Sequence, residues 1–373
     1  MDFSFNTDQT SLGETVGRML ADHPGLLLSE PAPADQDAAW DSLAELGLFA
    51  LLVPEAFGGA GLSLVDVALA VEALGAGLAP PCVVATLAAT DLLVHHGSHA
   101  QKQDLLPRIA RGEVKFAVAI LEADQGYDPE DIVCSTAKGL LNGAKILVED
   151  AEMADKLVVL ARDSAGPRLF LVDPATPGVV LRRHTDLDPA SGFCVVTFDE
   201  VCIAGEAIAG KAAVARLLET GATLSSGLLT GIATRMLETS VEYAKTRHQF
   251  GQPIGAFQAI KHRCADMAVA LEAARSTAYY AFWAISEVAP DSARAASMAK
   301  SCCGESARMI CNEAIQIHGG MGFTWELGLH RFLRRARVLE YGFGDAAWHN
   351  EQVLTETLAS LAADRSELAV VVQ

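Results

Sequence analysis

The residues best suited to chemistry in this sequence are one arginine, one pair of glycines and two carboxylates. Arg247 ends a stretch of helix-ending character from Tyr243. A guanidinium there offers a fork of donors that matches phosphate oxygens, or stands on the surface as an ordinary arginine. Gly319 and Gly320 are adjacent. Two glycines at a helix end permit positive φ and let backbone N–H groups approach a phosphate, or they form a plain C-cap and turn. Asp345 and Glu340 flank Phe343, and either carboxylate has the chemistry of a general base. Asp345 also directly precedes the periodic run Ala346-Ala347-Trp348, the place where an aspartate caps a helix. His318 has no matching His or Cys cluster, so it reads as structural and no metal site is expected. The eight cysteines are dispersed, and Cys302-Cys303 suits neither a metal clamp nor an unstrained disulfide. They read as mostly buried thiols in a reducing cytoplasm.

Three kinds of element must position these groups. From about Asp8 to Arg111 apolar residues recur every three or four positions, as in Trp40, Leu43 and Leu46. Breakers at Pro54, Gly58-Gly59, Gly75, Pro80-Pro81 and Gly97 cut this into short helices. From about Gly112 to Gly210 short apolar runs read as strands, with turns at Asn142-Gly143 and Pro177-Gly178. Beyond Gly210 the expected helices are long: Leu217–Arg247, Ala259–Ala289, Ser292–His318 and Gly344–Ala363. The order predicts an α+β chain: an N-terminal helical domain over 1–113, a middle β domain over 114–210 and a C-terminal helical bundle over 211–373. No GxGxxG lies between a strand and a helix, so a Rossmann nucleotide site is not expected.

Charge excludes whole classes of partner. Lys and Arg number 28 against 47 Asp and Glu, a formal net charge of -19. Such a surface repels phosphate backbones and anionic lipid, so neither nucleic acid nor membrane is expected. The start of the chain shows no basic region followed by an apolar one, and a cytoplasmic location is expected.

Four motifs in order resemble the acyl-CoA dehydrogenase family across nearly the whole chain. They are Pro54 to Ser63, Leu141 to Lys145 with Ala154 to Arg162, Arg247 to Ile254 with Gln258, and Gln316 to Phe323. The resemblance implies a middle β domain of barrel-like form, a C-terminal four-helix bundle, and FAD held between them at a subunit interface. It implies oxidation of an acyl-CoA across Cα–Cβ, with a carboxylate removing the α proton and the flavin accepting hydride. Arg247, Gln249, Phe250 and Gln258 would face a neighbour's FAD, and Gln316, Gly319 and Gly320 its adenosine half. An electron-transfer flavoprotein or a similar acceptor would reoxidise the cofactor.

The residues that the family uses within one subunit have changed. Leu121 stands where the family has a flavin-touching threonine, and Tyr127 follows where a small serine is usual. Leu147 replaces a ring and Glu149 a hydroxyl; the carboxylate would be repelled by a nearby phosphate or would turn to solvent at the strand end. The two positions where the family carries its base are Phe343 and about Gly221. Neither can take a proton. Motifs given across the interface remain, whereas those used within the subunit are gone. The pattern resembles the non-base-carrying subunit of heteromeric steroid- and cholesterol-CoA dehydrogenases, completing the FAD site of a paralogous partner that holds the acyl-CoA. Phe323 to Glu326 and the arginine-rich Leu329 to Arg335 are similar to that branch. Two alternatives stay open: a self-sufficient homotetramer using Asp345 or Glu340 as base, and a structural or ligand-binding relative without FAD.

Overall fold

The computed structural model describes residues 5–28, 31–184, 188–203, 207–208 and 210–371. Five helices come first: α1 (Thr7–Ala21), α2 (Pro33–Glu45), α3 (Ala68–Ala76), α4 (Pro81–His96) and α5 (His99–Ala110). Their starts follow ordinary capping chemistry. Asn6 caps α1 reciprocally with Gln9, and Ser98 caps α5 with Gln101. Strands β1 (Phe116–Ala119), β2 (Ser135–Ala137), β3 (Leu140–Val148), β4 (Lys156–Asp163), β5 (Gly166–Val172), β6 (Val179–Arg183), β7 (Cys194–Cys202) and β8 (Ala207–Ile208) follow. They form one sheet in the order β6-β7-β3-β2-β4-β5-β8, with β1 added parallel to β4. Its two ends, β6 and β8, do not pair with each other among the described residues.

The turn expected at Asn142-Gly143 lies inside β3 instead. Gly143 takes φ +140 beside a register shift against β7, and Asn142 Oδ1 accepts from the Glu200 amide at 2.9 Å. An Asn-Gly pair thus makes a bulge, because its side chain bonds across to the neighbouring strand. The reversal between β2 and β3 falls at Lys138-Gly139, both at positive φ.

The remaining chain is α6 (Lys211–Thr246), the short hairpin β9 (His248–Gln249) and β10 (Gln252–Pro253), α7 (Gln258–Ser286), α8 (Ser292–His318), α9 (Leu329–Tyr341) and α10 (Ala346–Val371). Helix α8 buries Ala296, Ala299, Cys303, Ala307, Ile310 and Ala314, one stripe at helical spacing made mostly of small residues. Small side chains let α6, α7 and α10 pack closely around it. Gly231 of α6 lies against α3 so closely that a Cβ would sit 1.8 Å from Glu72 O.

Buried charges tie the N-terminal helices to the long ones. Glu72 accepts from Tyr279 Oη, from Arg275 Nη2 and Thr234 Oγ1 at 2.9 Å each. Asp91 takes both forks of Arg216 at 2.7 Å and Thr220 Oγ1 at 2.8 Å. Each carboxylate is buried with its lone pairs satisfied, the condition under which such a pair is tolerated. All eight cysteines are free, and five of them are buried. Among the described residues no helix is long and apolar enough to cross a membrane, and no cluster of three His, Cys, Asp or Glu could hold a metal.

Candidate functional site

The structure divides the expected site residues between two places. Arg247, Gln249, Phe250, Gln258, Gln316, Gly319 and Gly320 gather at one end of the long helices. Tyr243 near the end of α6 stacks on His318 at the end of α8, with ring centroids 4.2 Å apart. That contact brings the β9–β10 hairpin beside the glycine turn. His318 Nδ1 donates to Ala314 O at 2.8 Å, the structural role expected of it. The hairpin reverses through Phe250 at φ +52 and Gly251 at φ +81, the pairing of positive angles that a two-residue turn requires. A bulky ring in the left-handed region is strained, yet Phe250 is 92% exposed and meets Phe257 edge-on with ring centroids 6.1 Å apart. No core packing accounts for it.

The neighbouring groups are equally open. Arg247, Gln249, Gln258 and Gln316 are exposed. Gly319 sits at φ +57 and ψ -134, a conformation essentially reserved for glycine. Gly320 is different: its φ is not positive and a Cβ there would meet nothing within 4 Å. Packing within the chain therefore gives no reason for the second glycine. Exposed Phe323 and Trp325 continue the surface, and the Arg334 guanidinium lies over the Trp325 ring at 5.5 Å.

The second place is an apolar cavity of about 80 Å³ where α3, α4, β1, β3, α6 and α9 meet. Leu121, Leu147, Glu149, Arg335 and Phe343 all line it. The two positions where the family resemblance implies a base are in contact here. A Cβ on Gly221 would lie 2.3 Å from the Phe343 ring, so the ring rests directly on the helix backbone. Phenylalanine in the loop and glycine in the helix are complementary halves of one packing arrangement.

Glu149 does not turn to solvent at the strand end. Arg335 Nη1 donates to Glu149 Oε1 at 2.8 Å, and Arg335 Nε lies 3.0 Å from Asp188 Oδ2. Burial pushes Glu149 up to about 7 against the pull of Arg335. Asp150 is pushed up to about 6 for the same reason, and its Oδ2 accepts from the Cys82 amide at 2.9 Å. Where the family resemblance implies a hydroxyl for the flavin, this chain has an ion pair. Its own cavity therefore does not fit the flavin ring in the family manner.

Neither substitute carboxylate lines that cavity. Asp345 Oδ1 accepts from the Trp348 amide at 2.8 Å, capping α10. Glu340 accepts from Arg308 Nε at 3.3 Å and from Arg337 Nη1. Both carboxylates are committed to local structure.

Two residues that sequence reasoning missed hold the loop between α9 and α10. Lys300 is 2% exposed, and its Nζ donates to Glu340 O at 2.9 Å and Gly344 O at 2.8 Å. His349 Nε2 donates to Phe343 O at 3.0 Å, so its Nδ1 accepts from Ser297 Oγ at 3.1 Å. Burial lowers Lys300 to about 7 and His349 to about 3. Between them they fix Phe343 at φ +58. The available signal was Lys300's place on the same helical face as Ala296, Cys303 and Ala307.

Comparison with known proteins places this architecture. Residues 8–113 match the acyl-CoA dehydrogenase N-terminal domain, and residues 209–358 the acyl-CoA dehydrogenase C-terminal domain. The chain is 33% identical over 335 residues to acyl-CoA dehydrogenase IpdE2 of Mycobacterium tuberculosis, covering 88% of this chain and 91% of that one. It superposes on a variant of the Tcur3481-Tcur3483 steroid ACAD with a TM-score of 0.88 at 29% identity, over 95% and 98% of the two chains. The ChsE4-ChsE5 complex from Mycobacterium tuberculosis has the same fold, with a TM-score of 0.87 at 23% identity over 96% and 99%. The chain belongs to the acyl-CoA dehydrogenase family.

Proposed function

We propose that this chain is the non-base-carrying subunit of a heterotetrameric, FAD-dependent acyl-CoA dehydrogenase. One observation carries the reading: groups suited to a dinucleotide face outward, while the chain's own base positions are filled by Phe343 packed on Gly221. The distance along α6 makes the point quantitative. Gly221 and Arg247 are 26 residues apart, or about 39 Å of helix at roughly 1.5 Å per residue. A guanidinium that far from Phe343 is suited to a site in another chain. Bound FAD would supply the hydride acceptor for Cα–Cβ oxidation of the partner's acyl-CoA. Arg247 would pair with its pyrophosphate, Phe250 and Gln249 would pack beside it, and Gln258, Gln316 and the amides of Gly319 and Gly320 would face the adenosine half.

Likeness to the Tcur3481-Tcur3483 steroid ACAD supports a bulky, steroid-derived substrate, and an electron-transfer flavoprotein as acceptor suits the family chemistry. The proposal keeps the domain limits at 113 and 210, a barrel-like curl of the middle sheet, four long helices in the C-terminal bundle and a cytoplasmic location. It is tested by co-expression with a genomically adjacent paralogue, measuring subunit ratio and FAD per tetramer. Equal subunits with half the FAD of a homotetramer are expected. One FAD per subunit and acyl-CoA oxidation at enzyme-like rates by this chain alone would overturn it.

A further inference from the structure

The apolar cavity ends on Ile120, Leu121 and Phe343. A second hollow of about 330 Å³ lies between the loop at Asp128 and helices α6, α8 and α10, and ends on Leu218 and Trp348. What separates them is small. A void of about 10 Å³ touches Ile120, Leu121 and Phe343 on one side, Leu218 and Trp348 on the other, and Tyr127 between. One water needs about 10–15 Å³ of such space, so no methylene chain passes. The Tyr127 and Trp348 rings are tilted across this point with centroids 6.1 Å apart.

The constriction is built to stay shut. Phe343 cannot retreat toward α6, because its ring already rests on Gly221. Its backbone is held by His349 Nε2 at 3.0 Å, and the carbonyls of Glu340 and Gly344 on either side are held by Lys300. The charges of the outer hollow point the same way. Asp128, Glu130, Glu219 and Glu356 line it against Lys211, whose Nζ is already 2.6 Å from Glu130. A polyanion such as the phosphates of a CoA ester is repelled from that rim.

We infer that Phe343, Tyr127 and Trp348 form a plug dividing an acyl channel within this chain, and that without the plug the joined cavity takes the apolar chain of an uncharged acyl thioester. This rests on the reading of the chain as the non-reacting half of a pair, and it adds that substrate is excluded sterically as well as left without a base. The plug accounts for retention of an apolar cavity beside Phe343 and for the pinned loop together.

The test uses the full chain purified by itself and two ligands, octanoyl-N-acetylcysteamine and octanoyl-CoA, titrated by calorimetry. The unaltered chain should bind neither. Phe343→Ala and Tyr127→Ala should each gain one site for the neutral thioester, tighter than the unaltered chain by at least about tenfold, with octanoyl-CoA weaker. Circular dichroism and melting temperature establish that each variant is folded. Should Phe343→Ala fail to fold, Tyr127→Ala decides alone, since Tyr127 lies between β1 and β2, outside the pinned loop. Stoichiometric binding of the neutral thioester by the unaltered chain overturns the plug, as does no gain in a folded variant. Binding of octanoyl-CoA as tight as that of the neutral thioester overturns the assignment of an uncharged ligand. None of these outcomes depends on subunit ratio or FAD content, so failure of the plug and failure of the shared-site reading give different results.

Discussion

Two phenylalanines in the same strained backbone conformation, Phe250 at φ +52 and Phe343 at φ +58, have opposite surroundings. Phe343 is held by neighbours on every side that matters: Gly221 beneath the ring, His349 on its carbonyl and Lys300 on the adjoining turn. Phe250 is 92% exposed at the tip of a two-strand hairpin. Strain of this kind persists only where surrounding structure over-determines it. For Phe343 the surroundings lie inside the chain. For Phe250 they do not, and a neighbouring subunit is the economical source. The same contrast separates Arg335, fully engaged by Glu149 and Asp188, from Arg247, whose guanidinium makes no hydrogen bond or ion pair among the described residues.

The sharpest way to break that contrast is to remove one arginine from each region. Arg335→Ala leaves Asp188, 0% exposed, without its guanidinium. Breaking a buried pair from one side costs about 3–5 kcal/mol, so chemical denaturation should show a loss of that order. A loss near zero would mean that the cluster relaxes or takes up protons freely. Arg247→Ala should leave the melting temperature of the isolated chain almost unchanged, since exposed substitutions away from special features stay within about ±0.5 kcal/mol. In the co-purified complex it removes a charge-assisted contact worth about 1.5–3 kcal/mol. FAD retention by the complex should therefore weaken by roughly 10- to 150-fold, read by flavin absorbance during dilution. Unchanged retention would remove Arg247 from the shared site.

The fold was largely legible in sequence because its signals are periodic. Helix α8 was expected at its observed limits, Ser292–His318, and β4, β5, β6 and β7 begin within two residues of the apolar runs that start at Leu157, Arg168, Val179 and Cys194, whereas the two-residue β8 has no such run to mark it. The errors came where side chains act across distance. Asn142-Gly143 has turn composition but folds as a bulge, since Asn142 bonds Glu200 on another strand. Glu149 looked like a residue with only solvent or a repelled phosphate before it, because Arg335 is 186 positions away. Lys300 reads as an ordinary helix lysine until its two carbonyl partners, 40 and 44 residues on, are known. Capping by Asp345 was readable because its partner, the Trp348 amide, is local.

The internal half of the comparison can be sharpened with a single methyl group. Gly221→Ala puts a carbon 2.3 Å from the Phe343 ring, and overpacking of this kind costs about 1–3 kcal/mol. Phe343→Leu should restore most of that loss in the double variant, a coupling measurable by a double-mutant cycle. Simple additivity would show that the two residues do not share a space. Acid tests the pin behind them. His349 is neutral in the folded chain down to about pH 3, whereas in the unfolded chain it protonates near its ordinary 6.5. Its contribution is thus complete above pH 6.5 and declines as pH falls from there toward 3. Each unit in that window costs about 1.4 kcal/mol. His349→Gln should flatten the unfolding free energy against pH by one proton; an unchanged slope would put the acid sensitivity elsewhere.

The smallest expected effect separates the two regions from a self-sufficient enzyme. Asp345 Oδ1 caps α10 through the Trp348 amide at 2.8 Å, and an asparagine oxygen accepts the same bond. N-cap preferences for Asp and Asn are nearly equal, so Asp345→Asn should change stability by no more than a few tenths of a kcal/mol. If the chain is the donor half of a shared site, turnover of the complex should stay within about twofold, because nothing in the partner's chemistry involves this carboxylate. A catalytic base replaced by its amide loses its proton acceptor, and general acid–base catalysis contributes about 100- to 10,000-fold. The two readings therefore differ by at least about fiftyfold in kcat for a substitution that structure alone barely registers. A collapse of turnover in a variant with unchanged melting temperature and FAD content would make Asp345 a base after all, and would move the active site back into this chain.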